Sequence, residues 1–353
     1  MQTMSVGPCH FDDQDGVIQN PVQEDFVMNR RNSLLSGVLL GIFTLVFLVI
    51  PNTSQAQLLG ANFPGDYGLS SATQPPPGFW LSGVYVRYDG DKIVDKNGDS
   101  IAIDAAELGE LDVNAYVLGG WFVTDATIFG GNYGFMIFPN WSDNTLESPI
   151  LGLTNKSGTA FGDLYVQPFN LGWHKDQADY LFGLGVYAPT GRYTYGANDN
   201  TGLGMWTFEV SAGTTQYFDE AKTWNLAGTA FFETHTEKKG TDQKVGNILT
   251  IEGGLGKSFM NGGLNLGLAY VAQWKLSDDQ LGKDLEDVLD GYDPGKNRGY
   301  GLGPEAVLAI ARNDKLIGTV SLRYLWETGV RSSVQGSTFV LTGAFPIPSM
   351  SLK

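Results

Sequence analysis

The chain has 353 residues, a formal net charge of −16 and 17% charged residues, against about 25% in an average soluble protein. The acidic balance argues against a nucleic-acid-binding protein, which needs clustered Lys and Arg, and a single long apolar run excludes a membrane protein built from many helices. The 47 glycines, 12% aromatic and 42% hydrophobic residues argue against disorder and favour an all-β chain whose strands have one apolar and one polar face.

Residues 28–56 are predicted to be a secretory signal peptide. The basic pair Arg30-Arg31 precedes an apolar run of 17 residues, 34–50, and a small-x-small sequence ends at Ala56. Cleavage is therefore predicted between Ala56 and Gln57. The alternative is a permanent membrane anchor, because the run is long for a signal core.

Residues 1–27 are polar and acidic and lie ahead of the basic pair. They are interpreted as an over-called N-terminal extension, with Met28 as the true start. The one cysteine, Cys9, lies in this extension, so the exported chain is predicted to contain no disulfide. Export without disulfides is ordinary for a bacterial envelope protein.

Beyond Gly78 the chain alternates apolar and polar residues with the period of two that is typical of strands. Leu264, Leu266 and Leu268, for example, alternate with Asn265 and Gly267. About twelve such segments are predicted, at roughly 79–90, 111–122, 126–138, 159–173, 179–189, 203–217, 223–235, 246–259, 263–275, 301–312, 315–328 and 335–347.

The predicted connections alternate in length along the chain. Short turns are predicted at Thr124-Asp125, 174–178, 218–222, Asn261-Gly262 and Asn313-Asp314, and longer polar loops at 91–110, 139–158, 190–202, 236–245 and 276–300. Only the last connection, 329–334, is of intermediate length. An even strand number with short turns at one end and long loops at the other is typical of a transmembrane β-barrel.

The predicted fold class is therefore all-β: a closed antiparallel transmembrane β-barrel of about 12 strands over 79–353, preceded by the signal peptide. Residues 57–78 are predicted to be a Pro/Gly-rich periplasmic linker or a plug. The alternative is a soluble β-sandwich or two stacked all-β domains, because alternation does not say which face is inside. In lipid, however, only helices and closed barrels satisfy every backbone hydrogen bond. The expected location is the cell outer membrane, with its lipid and lipopolysaccharide and the barrel-assembly machinery as partners.

Charged residues within the strands are the candidate selectivity residues. An Arg on the lipid face near the midplane costs about 2–4 kcal/mol, so charges that alternate with apolar residues are expected to face the lumen. The candidates are Arg87, Asp112, Glu209, Glu233, Glu252, Arg323 and Glu327. They could form a charged constriction that filters solutes, or ion pairs that fill a narrow barrel, and both interpretations stay open.

No catalytic, cofactor or metal site is predicted. His174 lies in a predicted turn and His235 near a strand end, far apart in the sequence, and His235 is interpreted as a solvated loop residue. The acidic loop 276–300 is interpreted as exposed and solvated, with a bound divalent cation as the less favoured alternative. We therefore expect no enzyme; a barrel hydrolase that uses His235 beside Glu233 is the weakest alternative.

The segment 162–219 resembles the family of outer-membrane proteins named after the MetA pathway of phenol degradation. The residues that carry the resemblance include Gly162, Asp163, Pro168, Pro189, Thr190, Gly191, Arg192, Trp206 and Glu209. The resemblance continues more loosely from about Gly78 to the end of the chain. It implies a β-barrel that passes small, often aromatic, compounds across the outer membrane. Such barrels commonly end on an aromatic residue, whereas this chain continues past Phe345 to Lys353.

The predicted function is thus a passive channel for small compounds, with aromatic or hydrophobic solutes implied by the resemblance. The competing prediction is a structural or adhesive outer-membrane barrel that transports nothing.

Overall fold

The structure, a computed structural model, describes residues 58–101, 109–148, 153–283, 286–287, 293–313 and 315–347. The predicted extension, signal peptide and cleavage site between Ala56 and Gln57 lie outside the described residues. The described residues form fifteen strand segments in a single sheet. These are β1 (Gly78–Val94), β2 (Glu110–Ile128), β3 (Gly131–Phe138), β4 (Asn140–Ser148), β5 (Leu153–Lys156), β6 (Ala160–Phe161), β7 (Leu164–His174), β8 (Ala178–Ala188), β9 (Thr207–Tyr217), β10 (Trp224–His235), β11 (Ile248–Phe259), β12 (Leu264–Lys275), β13 (Arg298–Arg312), β14 (Lys315–Arg331) and β15 (Ser333–Ile347).

The sheet closes on itself as a barrel of twelve antiparallel strands. The first segment, β1, pairs with β2 on one side and with β15 on the other. Both β3 and β4 pair with β2, so they form one barrel strand bent at Pro139, which has no N–H to donate to a ladder. The next barrel strand consists of β5, β6 and β7, which pair with β4 and β3. The predicted closed 12-strand barrel is confirmed.

Two predicted connections are wrong. Thr124-Asp125 is not a turn: the ladder between β2 and β3 shifts register between Val123 and Thr127, and β2 continues beyond this bulge. The chain reverses at Phe129 and Gly130, whose φ values of 52° and 77° suit a tight hairpin. The predicted loop 139–158 is mostly strand, because β4 pairs with β2 as far as residue 148 and β5, from residue 153, pairs with β4.

The two ends of the barrel differ, as predicted. One end, here called the short-turn end, carries the reversals 129–130, 175–177, 218–223 and 260–263, together with the start of β1 and the end of β15. The other, the long-loop end, carries 95–109, 189–206, 236–247 and 276–297. In outer-membrane barrels the short turns lie on the periplasmic side and the longer loops outside the cell.

The outer surface of the barrel is apolar. Leu268 on β12 is 51% exposed, whereas its neighbour Ala269 is fully buried against the interior, and the same alternation leaves Phe208, Leu302 and Leu322 on the outside. An apolar belt of this extent would be a liability in water, but it matches the hydrocarbon of a bilayer. The barrel is therefore an outer-membrane barrel.

None of the helices among the described residues is long and apolar enough to cross a membrane.

Candidate functional site

Residues 58–77, here called the lumen segment, run through the interior of the barrel. At the long-loop end, Lys275 Nζ donates to the carbonyl oxygen of Leu58 at 2.9 Å. At the short-turn end, Trp80 Nε1 donates to the carbonyl oxygen of Pro76 at 2.8 Å, and Gln74 Nε2 to Asn170 Oδ1 at 2.7 Å. The segment therefore spans the lumen from one end to the other.

Glutamate side chains of the barrel wall hold the backbone of this segment. The N–H groups of Ala61 and Asn62 both donate to Glu233 Oε1, each at 2.9 Å. The N–H of Tyr67 donates to Glu252 Oε2, also at 2.9 Å. Hydrogen bonds to a carboxylate are roughly twice as strong as neutral ones. These buried acids thus have a structural explanation, because the lumen segment supplies their donors.

Arg323 and Glu305 form a buried ion pair that also binds the segment. Arg323 Nη2 lies 2.7 Å from Glu305 Oε1, and both side chains are almost fully buried. Arg323 Nη1 donates to the carbonyl oxygen of Gly65 at 2.7 Å, and the N–H of Leu69 donates to Glu305 Oε2 at 2.9 Å. The ion pair therefore binds the backbone of the segment at two positions, the carbonyl oxygen of Gly65 and the N–H of Leu69.

Small residues in the wall make room for the segment. A Cβ atom added to Gly254 would lie 2.6 Å from Leu69 Cδ2, and one added to Gly267 would lie 2.7 Å from the same atom. Both distances are too short for real carbon atoms. Any larger residue at these positions would force the side chain of Leu69 to move.

Glu209 and Glu327 also face inward, but they bind the wall itself. Glu209 Oε1 accepts from Tyr165 Oη at 2.7 Å, and Glu327 Oε2 accepts from Tyr88 Oη at 2.9 Å. The predicted lumen residues Glu209, Glu233, Glu252, Arg323 and Glu327 therefore point into the barrel.

The predicted inward position of Arg87 and Asp112 is wrong. Val86 is buried and Tyr88 reaches Glu327 inside the barrel, so Arg87 between them lies on the outer face, where its Nε donates to Asp89 Oδ2 at 3.0 Å. Asp112 stands opposite Asp89 in the ladder and shares that face.

A charge is tolerated on the outer face here because of strand length. The 17 residues of β1 exceed the 9–11 that cross a bilayer. Counted from Gly78, Arg87 is the tenth residue of β1 and Asp89 the twelfth, so their ion pair lies at the long-loop edge of such a crossing, close to water.

Glu305 and the contacts of the lumen segment were not predicted from the sequence. Glu305 alternates with Leu302 and Leu308, which are exposed on the outer face. The rule that found Glu209 and Glu252 would also have found it. The contacts of residues 58–77 carry no such signal, because their partners lie more than 100 residues away in the sequence for most of the bonds.

The prediction that His235 is a solvated loop residue is wrong. It is the buried last residue of β10, and its Nε2 lies 4.0 Å from Glu233 Oε1. His174, by contrast, is partly exposed and bonds Asp179 through Nδ1 at 2.9 Å. Within the described residues, no group of three or more His, Cys, Asp or Glu side chains could hold a metal ion.

The residues that carry the family resemblance build the base of loop 189–206. Asp163 accepts the N–H of Gly191 on Oδ1 at 3.0 Å and the N–H of Leu203 on Oδ2 at 2.8 Å. Thr190 Oγ1 donates to the carbonyl oxygen of Gly162 at 3.1 Å. Asp163 therefore pins both ends of the loop, which gives this motif a structural role at the long-loop end.

The other motif residues lie around this junction or on the wall. Arg192 Nη2 donates to the carbonyl oxygen of Ser157 at 2.6 Å, which ties loop 189–206 to the neighbouring strands. Pro168 is exposed where the ladder between β7 and β8 shifts register, a place that suits a residue without an N–H. Trp206 is exposed on the outer face. Pro189 begins the loop directly after β8.

A buried lysine lies in the next loop. Lys238 in loop 236–247 is 1% exposed, and its Nζ has no hydrogen-bond partner among the described residues. Burial lowers the pKa of Lys238 to about 7.

Comparisons with known proteins agree with this architecture. The family model described as "Putative MetA-pathway of phenol degradation" matches residues 90–342. An outer membrane channel from Pseudomonas putida F1 is 12% identical, with a TM-score of 0.62, over 81% of this chain and 100% of that one. The β domain of the Bordetella autotransporter BrkA is 13% identical, with a TM-score of 0.43, over 76% of this chain and 99% of that one. No curated protein matches the chain.

Proposed function

Because this chain belongs to the MetA-pathway of phenol degradation family, we propose that it is a passive outer-membrane channel for small compounds, aromatic ones included. We further propose that the lumen segment, residues 58–77, closes the channel in the state described above. The observation that carries this proposal is the polar interface between the segment and the wall. Its principal hydrogen bonds join backbone groups to Glu233, Glu252, Glu305 and Arg323.

A polar interface can be replaced by water. When the segment leaves, the carboxylates and the guanidinium lose protein partners but gain hydration, so withdrawal exchanges hydrogen bonds instead of stripping them. The interior of a barrel of about eight strands can be filled by its own side chains, whereas twelve strands enclose a wider interior.

The vacated lumen would be lined by charge. Glu209, Glu233, Glu252, Glu305 and Arg323 would then face the pore and act on solutes as a charged constriction. The proposal gives selectivity to these inward residues. Arg87 and Asp112 have no part in it, because they lie on the outer face.

The filled lumen also favours a second candidate function, a structural or adhesive barrel that transports nothing. In that case the segment would remain in place for the life of the protein. The two candidates differ in one observable, which is whether the segment leaves.

A reversible cross-link tests this directly. Ser71 Oγ lies 3.2 Å from Thr229 Oγ1, joining the middle of the segment to β10. The only cysteine of the chain is Cys9, so a chain from Gln57 carrying Ser71→Cys and Thr229→Cys would have one possible disulfide. In planar bilayers we expect no conductance under oxidising conditions and channel activity after reduction.

The single variants Ser71→Cys and Thr229→Cys are the controls, and they should conduct in both conditions. Absence of conductance and of liposome swelling, both for the reduced protein and for a variant lacking residues 58–77, would leave the structural barrel as the function. Liposome uptake of benzyl alcohol compared with glucose tests the solute class. Faster uptake of glucose would contradict the preference for aromatic compounds.

Insertion by the barrel-assembly machinery and contact with lipopolysaccharide are part of the same proposal, supported by the closed barrel and its apolar belt. Depletion of the assembly machinery should remove the folded, heat-modifiable form from the membrane. The proposal assigns no catalytic step and no cofactor to the chain.

A further inference from the structure

Two buried polar groups without hydrogen-bond partners lie on neighbouring loops at the long-loop end of the barrel. Lys238 Nζ lies 5.9 Å from the centre of the Tyr193 ring, and neither this ammonium nor Tyr193 Oη has a hydrogen-bond partner among the described residues. Lys238 belongs to loop 236–247 and Tyr193 to loop 189–206. Buried donors without acceptors are uncommon in folded proteins, and each such group calls for an explanation.

Neighbouring carboxylates do not supply the missing acceptor. Asp163 and Asp279 attract the ammonium, but their oxygens are committed to other donors. Asp163 accepts two backbone N–H groups at the base of loop 189–206. Asp279 accepts the N–H of Gly246 on Oδ1 at 2.7 Å and Lys275 Nζ on Oδ2 at 2.6 Å. Neither forms an ion pair with Lys238 within the described part of the chain.

An ammonium held in this way is unfavourable unless something else binds it. Removing a charge from water carries a large free-energy penalty, which lowers the pKa of the lysine and which the Tyr193 ring, 5.9 Å from Nζ, offsets only in part. The position of Lys238 is fixed by backbone bonds on both sides, since its own N–H donates to Gln243 and the N–H of Lys239 donates to Gly204, at 2.8 and 2.7 Å. The loop therefore holds the side chain in the interior.

The two loops that carry these donors also contribute apolar side chains. Met205, Val245 and Ile248 form a buried cluster, with Leu203 packed against it. Leu203 and Met205 flank Gly204 in the chain, and the Tyr193 ring packs directly over this glycine, because a Cβ atom added to it would lie 2.3 Å from the ring. Two donors next to an apolar wall suit a ligand that has an anionic oxygen on an apolar body.

We propose that Lys238 and Tyr193 bind the anionic oxygen of a small apolar monocarboxylate at the long-loop end of the barrel. The site rests on the proposed function, in which it would be the first docking position of a solute entering from outside. Binding itself does not require the channel to open, so the two proposals can fail separately.

Thermal unfolding of the purified, detergent-folded protein tests the site. Sodium benzoate is the probe, with benzyl alcohol as its neutral counterpart and sodium chloride at equal ionic strength. A ligand that binds only the folded state raises the melting temperature in proportion to the logarithm of its concentration over Kd. We expect benzoate to stabilise the wild-type protein, and neither benzyl alcohol nor chloride to do so.

Lys238→Met should weaken benzoate binding about tenfold or more, the loss expected for one charged hydrogen bond. Without ligand this variant should stay folded and be at least as stable as wild type, because it removes an unpaired buried charge. The matched control is Lys239→Met, which removes the same charge from an exposed neighbour and should bind benzoate as wild type does. Tyr193→Phe should cause a smaller loss of affinity.

A pH series separates the ammonium from a merely structural role. The charged groups that face Lys238 are Asp163 beside β7, Lys275 and Asp279 at the end of β12, and His235 at the end of β10. Burial lowers the pKa of Lys238 to about 7, so it is charged below that pH and neutral above it. Benzoate binding should therefore be stronger at about pH 6 than at about pH 8 in wild type, and independent of pH over this range in Lys238→Met.

Three results would overturn the site: equal benzoate binding by wild type and Lys238→Met, equal loss in Lys239→Met, or equal stabilisation by chloride. Benzoate binding with the expected Lys238 dependence in a barrel that never conducts would support the site and contradict only the transport proposal.

Discussion

Replacing Glu233 by Gln tests whether charged hydrogen bonds keep the lumen segment in the barrel. The substitution preserves the shape of the side chain and its acceptor oxygen. The N–H groups of Ala61 and Asn62 can still donate to that oxygen, but both bonds become neutral. Only the closed state is affected, because in the open state the side chain at this position is hydrated whether it is Glu or Gln.

The expected effect follows from the number of bonds. A hydrogen bond to a charged group contributes about 1.5–3 kcal/mol net and a neutral one about 0.5–1.5 kcal/mol, so each bond loses about 1 kcal/mol. These values already include dehydration of the groups. Two bonds therefore weaken the closed state by about 2 kcal/mol, and with a factor of ten for each 1.4 kcal/mol the ratio of open to closed channels rises about 30-fold.

Single-channel recording in planar bilayers measures this ratio directly, as the ratio of open to closed dwell times. Glu237→Gln is the matched control, because it makes the same chemical change on an exposed loop residue four positions away. We expect its dwell times to equal those of wild type. Single-channel conductance should change little in either variant, since the free energy of closing is altered and not the width of the barrel.

One result would refute the reasoning. If Glu233→Gln leaves the dwell-time ratio unchanged while a variant lacking residues 58–77 is permanently open, the segment closes the channel but Glu233 does not hold it. The apolar contacts of Leu69 and Tyr67 would then be the next interactions to test.

Arg323→Gln leaves Glu305 buried without its partner and should destabilise the barrel by about 3–5 kcal/mol in urea unfolding from lipid vesicles, and it should shift the reversal potential of the open channel towards cations. Asp163→Asn places an NH₂ group against a backbone N–H at the base of loop 189–206; the loss of about 1–3 kcal/mol should appear as faster proteolysis within that loop. Leu268→Arg puts a charge on the lipid face and should lower the free energy of unfolding, measured in lipid vesicles, by about 2–4 kcal/mol.

Each of these has a control and a contradicting result. Arg312→Gln removes a charge near a short turn and should not alter the reversal potential. If it shifted the reversal potential as much as Arg323→Gln does, the effect of Arg323→Gln could not be ascribed to a position in the lumen. Asp199→Asn changes an exposed loop acid, and equal proteolysis would show that Asp163 does not pin the loop. Leu268→Val keeps an apolar side chain, and a loss as large as that of Leu268→Arg would place this residue away from lipid.

The barrel itself could be predicted because its signals are local. Side chains on a strand alternate with a period of two, so Leu264, Leu266 and Leu268 predict both a strand and a shared face. Turn residues and loop lengths then predict the antiparallel order and the difference between the two ends. The misplaced turn near Thr124 shows the limit of this approach, since a bulge and a turn use similar residues.

Inward charges were predictable where strands cross the lipid. There the outer face must be apolar, so Glu209, Glu233 and Glu252 had only one direction to point. Beyond the lipid this constraint ends. Arg87 and Asp112 lie near that edge, where alternation still says which residues share a face but no longer says which face is inside.

The sequence by itself predicted an all-β outer-membrane barrel of about twelve strands, because period and turn spacing are properties of neighbouring residues. The pairing of β1 with β15 that closes the sheet joins the two ends of the described chain and is a tertiary contact. Only the tertiary structure decided that residues 58–77 fill the lumen and that Lys238 and Tyr193 meet across two loops. Those contacts join positions far apart in the chain, and the closure of the sheet brings them together. No local pattern of residues indicates which distant positions will be in contact.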